Sequence, residues 1–517
     1  MFCFTITSIA DVYFLTKEYA LSNSLLLYKT SSNTYSISIY KVLTIDFTKQ
    51  HCYILTGNVS TIIDKKRCMI IKKNRLETES IPKLLAEFSI PAIIGMLVNA
   101  IYNIVDRIFI GNDPELGSLG LAAVSITYPV TLVLLAFALM VGVGGSTRFS
   151  ISLGRKENEK AKFFLGNGVT LAIIAGLLFM ILGNIFIEPI LHILGASNAV
   201  LPYATDYLSV ILFGAVFQSV AMALNNFSRA DGNPRNSMIS MMIGAGFNIV
   251  FDYIFIVQLG WGMKGAAYAT IGGQFLSMVW QLIYFLGSKA NIQLVVKNMK
   301  LKAVYVKDIL TTGIPAFLLQ IANSVLNIVI NASLVAYGGD IAISVAGIIT
   351  SATTLIIMMV SGLVQGLQPI ISYNTGAERI DRVKEALKTG SIIGGIISTT
   401  GFLLFQFFPV FVISLFNQET EVVSLGIKAI RIWTIAFPLV GIQIVWASYF
   451  QAVGKVQLAS FLNLARQIIF LIPLVLILSP IFGLYGIYSA VPIAEFLAFI
   501  VTFIFLKSQF KRSQHVL

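Results

Sequence analysis

The segment Ser89–Gly111 reads SIPAIIGMLVNAIYNIVDRIFIG, and its length and hydrophobicity decide the fold class. An α-helix of about 20 apolar residues crosses the hydrocarbon core of a bilayer, so this segment predicts a transmembrane helix. Its start recurs 224 residues later (313 minus 89) as GIPA at 313–316, and a second Asn-Ile-Val follows at 327–329. The repetition predicts a membrane protein made of two related halves.

Further apolar stretches predict twelve transmembrane helices in all. We place them near residues 84–110, 119–146, 163–187, 202–224, 236–259, 263–287, 309–336, 341–371, 389–414, 426–450, 457–479 and 482–506. Later parts of the halves also match, since Gly232 corresponds to Gly454 and Gly262 to Gly483. Six helices per half give both halves the same orientation, and parallel repeats place a substrate site between them. The predicted fold is an all-α membrane protein with two six-helix lobes related by a parallel internal repeat.

Composition agrees with this fold. Hydrophobic residues make up 56% of the chain and charged residues only 12%, with a mean hydropathy of +0.84. The net charge of +12 comes from Lys and Arg that concentrate in alternate loops, which marks the cytoplasmic side. We therefore predict a multi-pass protein of the plasma (inner) membrane with both termini in the cytoplasm. We expect the lipid bilayer but no nucleic acid among its partners.

The chain divides into five predicted segments. Residues 1–68 are an atypical N-terminal extension that holds Cys3, Cys52 and Cys68, the three cysteines of the chain. This extension is either upstream sequence that is not translated, with Met69 as the true start, or a genuine part of the protein. The other segments are the N-lobe at 69–287, a cytoplasmic linker at 288–308, the C-lobe at 309–506 and a cytoplasmic tail at 507–517.

Two acidic residues fall inside otherwise apolar spans of the first half. Asp106 lies late in the first span and Asp252 in the fifth, with Asn248 one helical turn before Asp252. Thr270 lies in the sixth span. Ionisable groups inside a membrane are costly and usually functional. An all-oxygen set suits Na⁺ at Asp106, Asn248 and Asp252, whereas two neighbouring carboxylates also suit proton uptake.

Several segments, in order and spacing, resemble the multidrug and toxic compound extrusion (MATE) family, especially its MepA-like and DinF-like branch. They are IPAIIGMLVNAIYNIVDRIFIG, NNFSRADGNPRNSM, GFNIVFDYIFI, GWGMKGAAYAT and QGLQPIISYNTGA. The resemblance implies Na⁺- or H⁺-coupled export of amphipathic, often cationic, drug-like compounds, with no cofactor and no enzymatic activity. It also implies a coupling site at Asp106, Asn248, Asp252 and Thr270, with a weaker match at Tyr207.

The second half lacks counterparts of the two acids. At the offset of 224 Asp106 aligns with Ile330, and Asp252 aligns with Pro473 at the later offset of 221. Glu495, in the last span, is predicted to be an inert protonated acid or a drug contact, and Arg466 to reach the membrane interface. Met140, Gln365 and Glu495 are the candidates for a substrate cavity. We therefore predict that transport is coupled through the N-lobe alone. We also expect the protein to be a monomer.

The distribution of charged residues disfavours two other functions. A lipid-linked precursor flippase of the same superfamily should carry basic residues inside its cavity, and most positive charge here lies in loops. A membrane prenyl transferase would need paired acidic metal motifs, which the sequence does not contain. Arg229, Asp231 and Gly232 lie in a predicted cytoplasmic turn, and we interpret them as a structural clamp. Pro91, Pro129 and Pro369 are candidates for helix bends.

Overall fold

The computed structural model describes residues 75–114 and 116–514 and, before them, seven short strands. The strands are Phe4–Ile6, Leu26–Lys29, Tyr35–Ile37, Ile45–Asp46, His51–Thr56, Val59–Asp64 and Met69–Ile70. In chain order they form one antiparallel sheet of the order 1-3-2-7 and another of the order 4-5-6. Met1–Thr78 and Glu79–Leu517 are separate compact units. Cys3, Cys68 and the end of the tail at 515–517 lie outside the described residues.

The first half of the helical unit contains six spans. They are Ile81–Asn112, Gly117–Gly154, Asn158–Ile185, the bent pair Leu201–Phe213 and Ala215–Ala230, Pro234–Asp252 with the π-helix Tyr253–Gln258, and Gly262–Leu286. Two short helices, Arg75–Thr78 and Ile187–Ile193, precede the first span and the fourth span. The fifth span begins where the Asn233 side chain accepts a hydrogen bond from the backbone N–H of Asn236, with Pro234 in the first turn. Both residue types favour a helix start.

The second half repeats this plan. Its spans are Ala303–Gly339, Ile341–Gly376, Ile380–Phe407, the bent pair Thr420–Trp433 and Phe437–Ala452, Val456–Leu464 with the π-helix Ala465–Leu471 and Ile472–Phe482, and Leu484–Gln514. The short helices Val296–Met299 and Pro409–Ser414 lie in the connections. When each bent pair counts as one span, the described residues contain twelve. The predicted fold class is confirmed.

Two spans of the described residues are bent by more than 40° at a break between helices. The fourth span bends by 50° around Gly214, and the tenth span bends by 49° between Trp433 and Phe437. Pro91, Pro129 and Pro369 lie inside helices. A proline removes one helical hydrogen bond, and neighbouring helices in a membrane protein often compensate for it. The two breaks thus occur at equivalent spans of the two halves, and a bend at any of the three prolines stays a prediction.

The halves contact each other through the predicted cytoplasmic ends of the first, second, seventh and eighth spans. The approach is so close that a Cβ atom added at Gly144 would overlap the carbonyl oxygen of Ile309. Side chains also cross the interface, since Arg148 donates to Thr312 at 2.8 Å and Gln368 donates to Thr147 at 3.0 Å. The interface between the lobes is therefore closed by backbone contact at this end.

Candidate cation site

Three helices of the N-lobe bring the predicted polar side chains together. Asp106 comes from the first span, Asn248 and Asp252 from the fifth, and Thr270 from the sixth. Asp106 retains 7% of its surface, Asn248 2% and Asp252 none. The two acids are far apart in sequence, and the packing of the first span against the fifth makes them neighbours.

Local geometry points the fifth-span residues in one direction. Asn248 and Asp252 are four residues apart on an α-helix, so they share a face. The π-helix Tyr253–Gln258 begins directly after Asp252. The sixth span packs closely beside it, because a Cβ atom added at Gly265 would lie 3.0 Å from the carbonyl oxygen of Phe255. Small residues at that point allow the two helices to approach.

The cluster has more hydrogen-bond acceptors than donors. Asn248 Nδ2 donates to Thr270 Oγ1 at 3.3 Å. Among the described residues, four buried oxygens have no hydrogen-bond partner: Asp106 Oδ1, Asn248 Oδ1 and both carboxylate oxygens of Asp252. Nearly all buried polar atoms in proteins are satisfied, so such a group of oxygens requires an explanation. A bound cation or a proton would supply the partner that these oxygens lack.

The two carboxyl groups lie close enough for a protonated one to donate a hydrogen bond to the other. Two carboxylates at that separation repel each other, so the pair gains from a proton or a cation between them. Among the described residues, no group of three or more His, Cys, Asp or Glu side chains could hold a metal ion. Carboxylate, amide and hydroxyl oxygens are ligands of hard cations such as Na⁺.

Two tyrosines flank the carboxyl pair. Tyr207, in the fourth span, is buried and lies within electrostatic reach of both acids, as its weaker sequence match suggested. Tyr102 also lies within reach of both acids, and the sequence analysis missed it. Its position four residues before Asp106 was the available signal, because that spacing puts both side chains on one helix face.

The other cavity candidates lie elsewhere. Gln365 donates to Met96 Sδ at 3.2 Å and lines a polar cavity of about 10 Å³ between the lobes. Met140 is half-buried beside the lobe interface, where its carbonyl oxygen packs against Gly313. Neither residue joins the acidic cluster, and a drug contact at either stays a prediction.

Glu495 is not an isolated acid. Arg466 in the eleventh span lies 3.2 Å from it, and the side chains of Arg466 and Glu495 keep 19% and 13% of their surface. The expectation that Arg466 reaches the membrane interface is wrong, because its guanidinium turns to this carboxylate. A sequence gives no direct sign of such a pair, since the two residues lie on different helices.

The predicted clamp is present next to the linker between the lobes. Asp231 accepts hydrogen bonds from the Tyr284 hydroxyl at 2.7 Å and from the backbone N–H groups of Asn291 and Ile292 at 2.8 and 3.1 Å. Burial raises the pKa of the Asp231 carboxyl to about 6. Gly232 has a φ of 93°, a conformation that glycine adopts without strain. The interpretation as a structural clamp agrees with these contacts.

Several known proteins are similar to this chain in sequence. The family model MatE matches twice, at residues 91–254 and 315–477. The multidrug export protein MepA of Staphylococcus haemolyticus (strain JCSC1435) is 30% identical over 429 residues, covering 83% of this chain and 94% of that protein. MepA of Staphylococcus aureus (strain MSSA476) is 29% identical, covering 81% and 92%.

Solved structures give the same answer. The MATE multidrug transporter DinF-BH, solved in complex with a ligand, has a TM-score of 0.79 and 38% identity, covering 84% of this chain and 97% of that one. An outward-facing MATE family transporter of the MOP superfamily has a TM-score of 0.81 at 24% identity, covering 86% and 99%, and shares the fold. Two family matches, one in each half, agree with the internal repeat. This chain belongs to the MATE family of transporters.

Proposed function

We propose that this protein is a cation-coupled antiporter that exports amphipathic, often cationic, drugs by alternating access. The group of buried oxygens at Asp106, Asn248 and Asp252 carries the proposal. The names of its MepA relatives support drug export, and so does its similarity to the multidrug transporter DinF-BH. The coupling ion is Na⁺ or H⁺.

The proposed cycle uses the acidic cluster as the coupling element. Asp106 and Asp252 take up a cation from the outside, which lowers the negative charge of the cluster and changes the packing of the first and fifth spans. The drug then leaves outward, and the cation is released inward as the next drug binds. Such a cycle requires that each ligand binds the outward and inward states with different affinity.

The closed contact between the lobes suggests which state the structure represents. Gly144, Thr147 and Arg148 contact the C-lobe at the predicted cytoplasmic end. We infer that this is the outward-facing state, because a closed cytoplasmic end leaves only the outer side for exchange. The polar cavity beside Gln365 then lies just inside the closed end.

Dye efflux from proteoliposomes tests the proposal. Vesicles loaded with a fluorescent cationic dye receive either a pH gradient or a Na⁺ gradient, and the dye that leaves is recorded. Efflux driven by one gradient and lost on collapsing it is the expected result, and it identifies the coupling ion. Dye efflux that ignores both gradients would contradict an antiporter.

Membrane orientation is part of the proposal. The basic loops support an orientation with both termini and the linker in the cytoplasm. A single cysteine at the exposed residue Ser288, in a background without the native cysteines, should react with an impermeant thiol reagent only after cells are opened. Labelling of this cysteine in intact cells would show that the protein has the opposite orientation.

A lipid-linked precursor flippase is the weaker alternative. Binding a pyrophosphate in the cavity needs cationic groups that are free to contact it. Arg466, a basic residue in the middle of a span, is already paired with Glu495. This pairing favours the antiporter.

A further inference from the structure

The C-lobe holds a charged pair in the middle of the spans. Arg466 and Glu495 meet at 3.2 Å, ten or more residues from either end of their spans. Charged groups at that depth are costly, and they usually serve a function. A buried ion pair is also weak evidence for stability, since apolar replacements are often tolerated. The pair therefore requires a reason beyond holding two helices together.

The helices that supply this cluster correspond to those of the N-lobe site. Residues 466 and 467 are neighbours in the eleventh span, and Gln467 donates to Asn323 in the seventh while Arg466 reaches Glu495 in the twelfth. The repeat relates the first, fifth and sixth spans to the seventh, eleventh and twelfth. Both polar clusters thus come from the same three positions of the repeat.

Each lobe also has a π-helix in the corresponding span, but the two π-helices are out of register, because 253–258 aligns with 474–479 at the offset of 221. A π-helix begins directly after Asp252 in the fifth span, and the π-helix Ala465–Leu471 contains Arg466 in the eleventh. π-Helices are rare and frequently occur at functional sites. The registers differ, because Asp106 aligns with Ile330 and Asn99 aligns with Asn323. Seven residues correspond to about 10 Å, so the C-lobe cluster lies nearer the predicted cytoplasmic side.

The clusters differ in what neutralises their carboxylates. In the N-lobe the carboxylates of Asp106 and Asp252 have no basic partner among the ion pairs of the described residues. The exposed Arg107 acts on Asp106 only as a more distant charge. We propose that the C-lobe cluster is the counterpart of the coupling site, with the guanidinium of Arg466 as a tethered cation in place of an exchangeable one. This inference rests on the proposed coupling role of the N-lobe site. It explains how one lobe responds to the ion while the other stays neutral.

The chemistry of the pair makes the two residues unequal. Glu495 Oε2 and Gln467 Oε1 are buried without a hydrogen-bond partner among the described residues. Once Arg466 is removed, the carboxylate of Glu495 can take up a monovalent cation or a proton from solution. An arginine cannot lose its proton in a protein, so removing Glu495 leaves a fixed positive charge in the membrane. Arg466→Gln should therefore create a cation site, and Glu495→Gln should not.

Thermal stability in a background without the N-lobe acids tests this directly. Asp106→Asn/Asp252→Asn is purified in detergent, alone and with Arg466→Gln, and melted in increasing NaCl against choline chloride of equal ionic strength. A second series lowers the pH. Adding Arg466→Gln should produce a melting temperature that rises with Na⁺ or with acidity, because an ion that binds only the folded state stabilises it. Equal responses with and without Arg466→Gln would overturn the tethered-cation role.

The single variants in the wild-type background provide an independent measurement. Arg466→Gln should insert and melt higher than Glu495→Gln, and Arg466→Gln/Glu495→Gln should regain the stability lost in Glu495→Gln. Arg466→Lys is the matched control, because it keeps a tethered positive charge and should create no cation response. The reverse order of the two single variants would overturn the proposal, even if one of them yields little protein.

Failure of this inference is distinguishable from failure of the proposed function. The background variant Asp106→Asn/Asp252→Asn reports on the N-lobe by itself, since gradient-driven efflux in it would disprove N-lobe coupling. The effect of adding Arg466→Gln reports on the C-lobe by itself.

Discussion

The two lobes place polar groups on the same three helices of the repeat but neutralise them differently. In the N-lobe, Asp106 and Asp252 lie next to each other and form no ion pair among the described residues, although Arg107 is within electrostatic reach of Asp106. Asp106 Oδ1 and both carboxylate oxygens of Asp252 have no hydrogen-bond partner there. In the C-lobe, Glu495 is paired with Arg466 at 3.2 Å. A carboxylate pair needs an ion from solution, whereas a carboxylate with a built-in guanidinium does not. Under the proposed function, the site that exchanges ions is therefore the one whose carboxylates form no ion pair with a basic residue.

The largest effect is expected from the uncompensated acids. Asp106→Asn and Asp252→Asn should each abolish gradient-driven dye efflux while the protein still inserts, because one carboxylate is too few to hold and release the ion. Asp206→Asn is the matched control, since Asp206 lies in the same lobe in a half-exposed pair with Lys264 at 3.2 Å. Wild-type drug resistance in cells that express either cluster variant at the normal level would show that the N-lobe acids are not required for transport.

The second-largest effect is expected at the contact between the lobes. Gly144→Ala puts a methyl group against the backbone of Ile309 and Gly313. Overpacking of this kind costs about 1–3 kcal/mol, so the closed contact should become about 5- to 150-fold less populated. Reactivity of a cysteine introduced at Ser150, beside the interface, should rise and efflux should fall. Gly347→Ala, which has open space around its Cβ position, should change neither quantity.

Asn248 should tune the N-lobe site rather than create it. Asn248→Ala removes one oxygen from the cluster and the hydrogen bond to Thr270. A hydrogen bond contributes about 1 kcal/mol, so the ion concentration for half-maximal efflux should rise about fivefold to tenfold. Asn184→Ala is the control, because Asn184 donates to the backbone carbonyl of Met180 in its own helix, away from the cluster. An unchanged ion requirement in Asn248→Ala would remove Asn248 from the site.

The smallest effect concerns a loop in which the lobes also differ. Asp231 clamps the linker in the N-lobe, and the equivalent turn of the C-lobe has Val453 before Gly454. The pKa of Asp231 is raised from 3.8 to about 6, so proton binding stabilises the folded state below pH 3.8, and this contribution is lost as the pH rises through about 6. Between pH 5 and 7 the free energy of unfolding of the wild type should fall by about 1 kcal/mol relative to Asp231→Asn. An identical change of the free energy of unfolding with pH in the wild type and in Asp231→Asn would contradict this prediction.

The sequence alone determined the architecture of this protein. Hydropathy located the twelve spans to within several residues, and the match between the Gly232 and Gly454 turns showed the repeat. Asp106 and Asp252 could also be predicted as functional residues, because an acidic residue inside an apolar stretch is recognisable without knowledge of its contacts. These features are local or periodic along the chain, so a single sequence contains them.

Which charged side chains meet depends on how the helices pack against one another. The proximity of Asp106 to Asp252 depends on how the first span packs and rotates against the fifth, and that rotation is not written in either segment. Arg466 shows the same limit, because on its own helix it resembles an interface residue and only the twelfth span supplies Glu495. In a membrane nearly every helix face is apolar, so hydropathy fixes where a helix crosses but leaves its partners to packing.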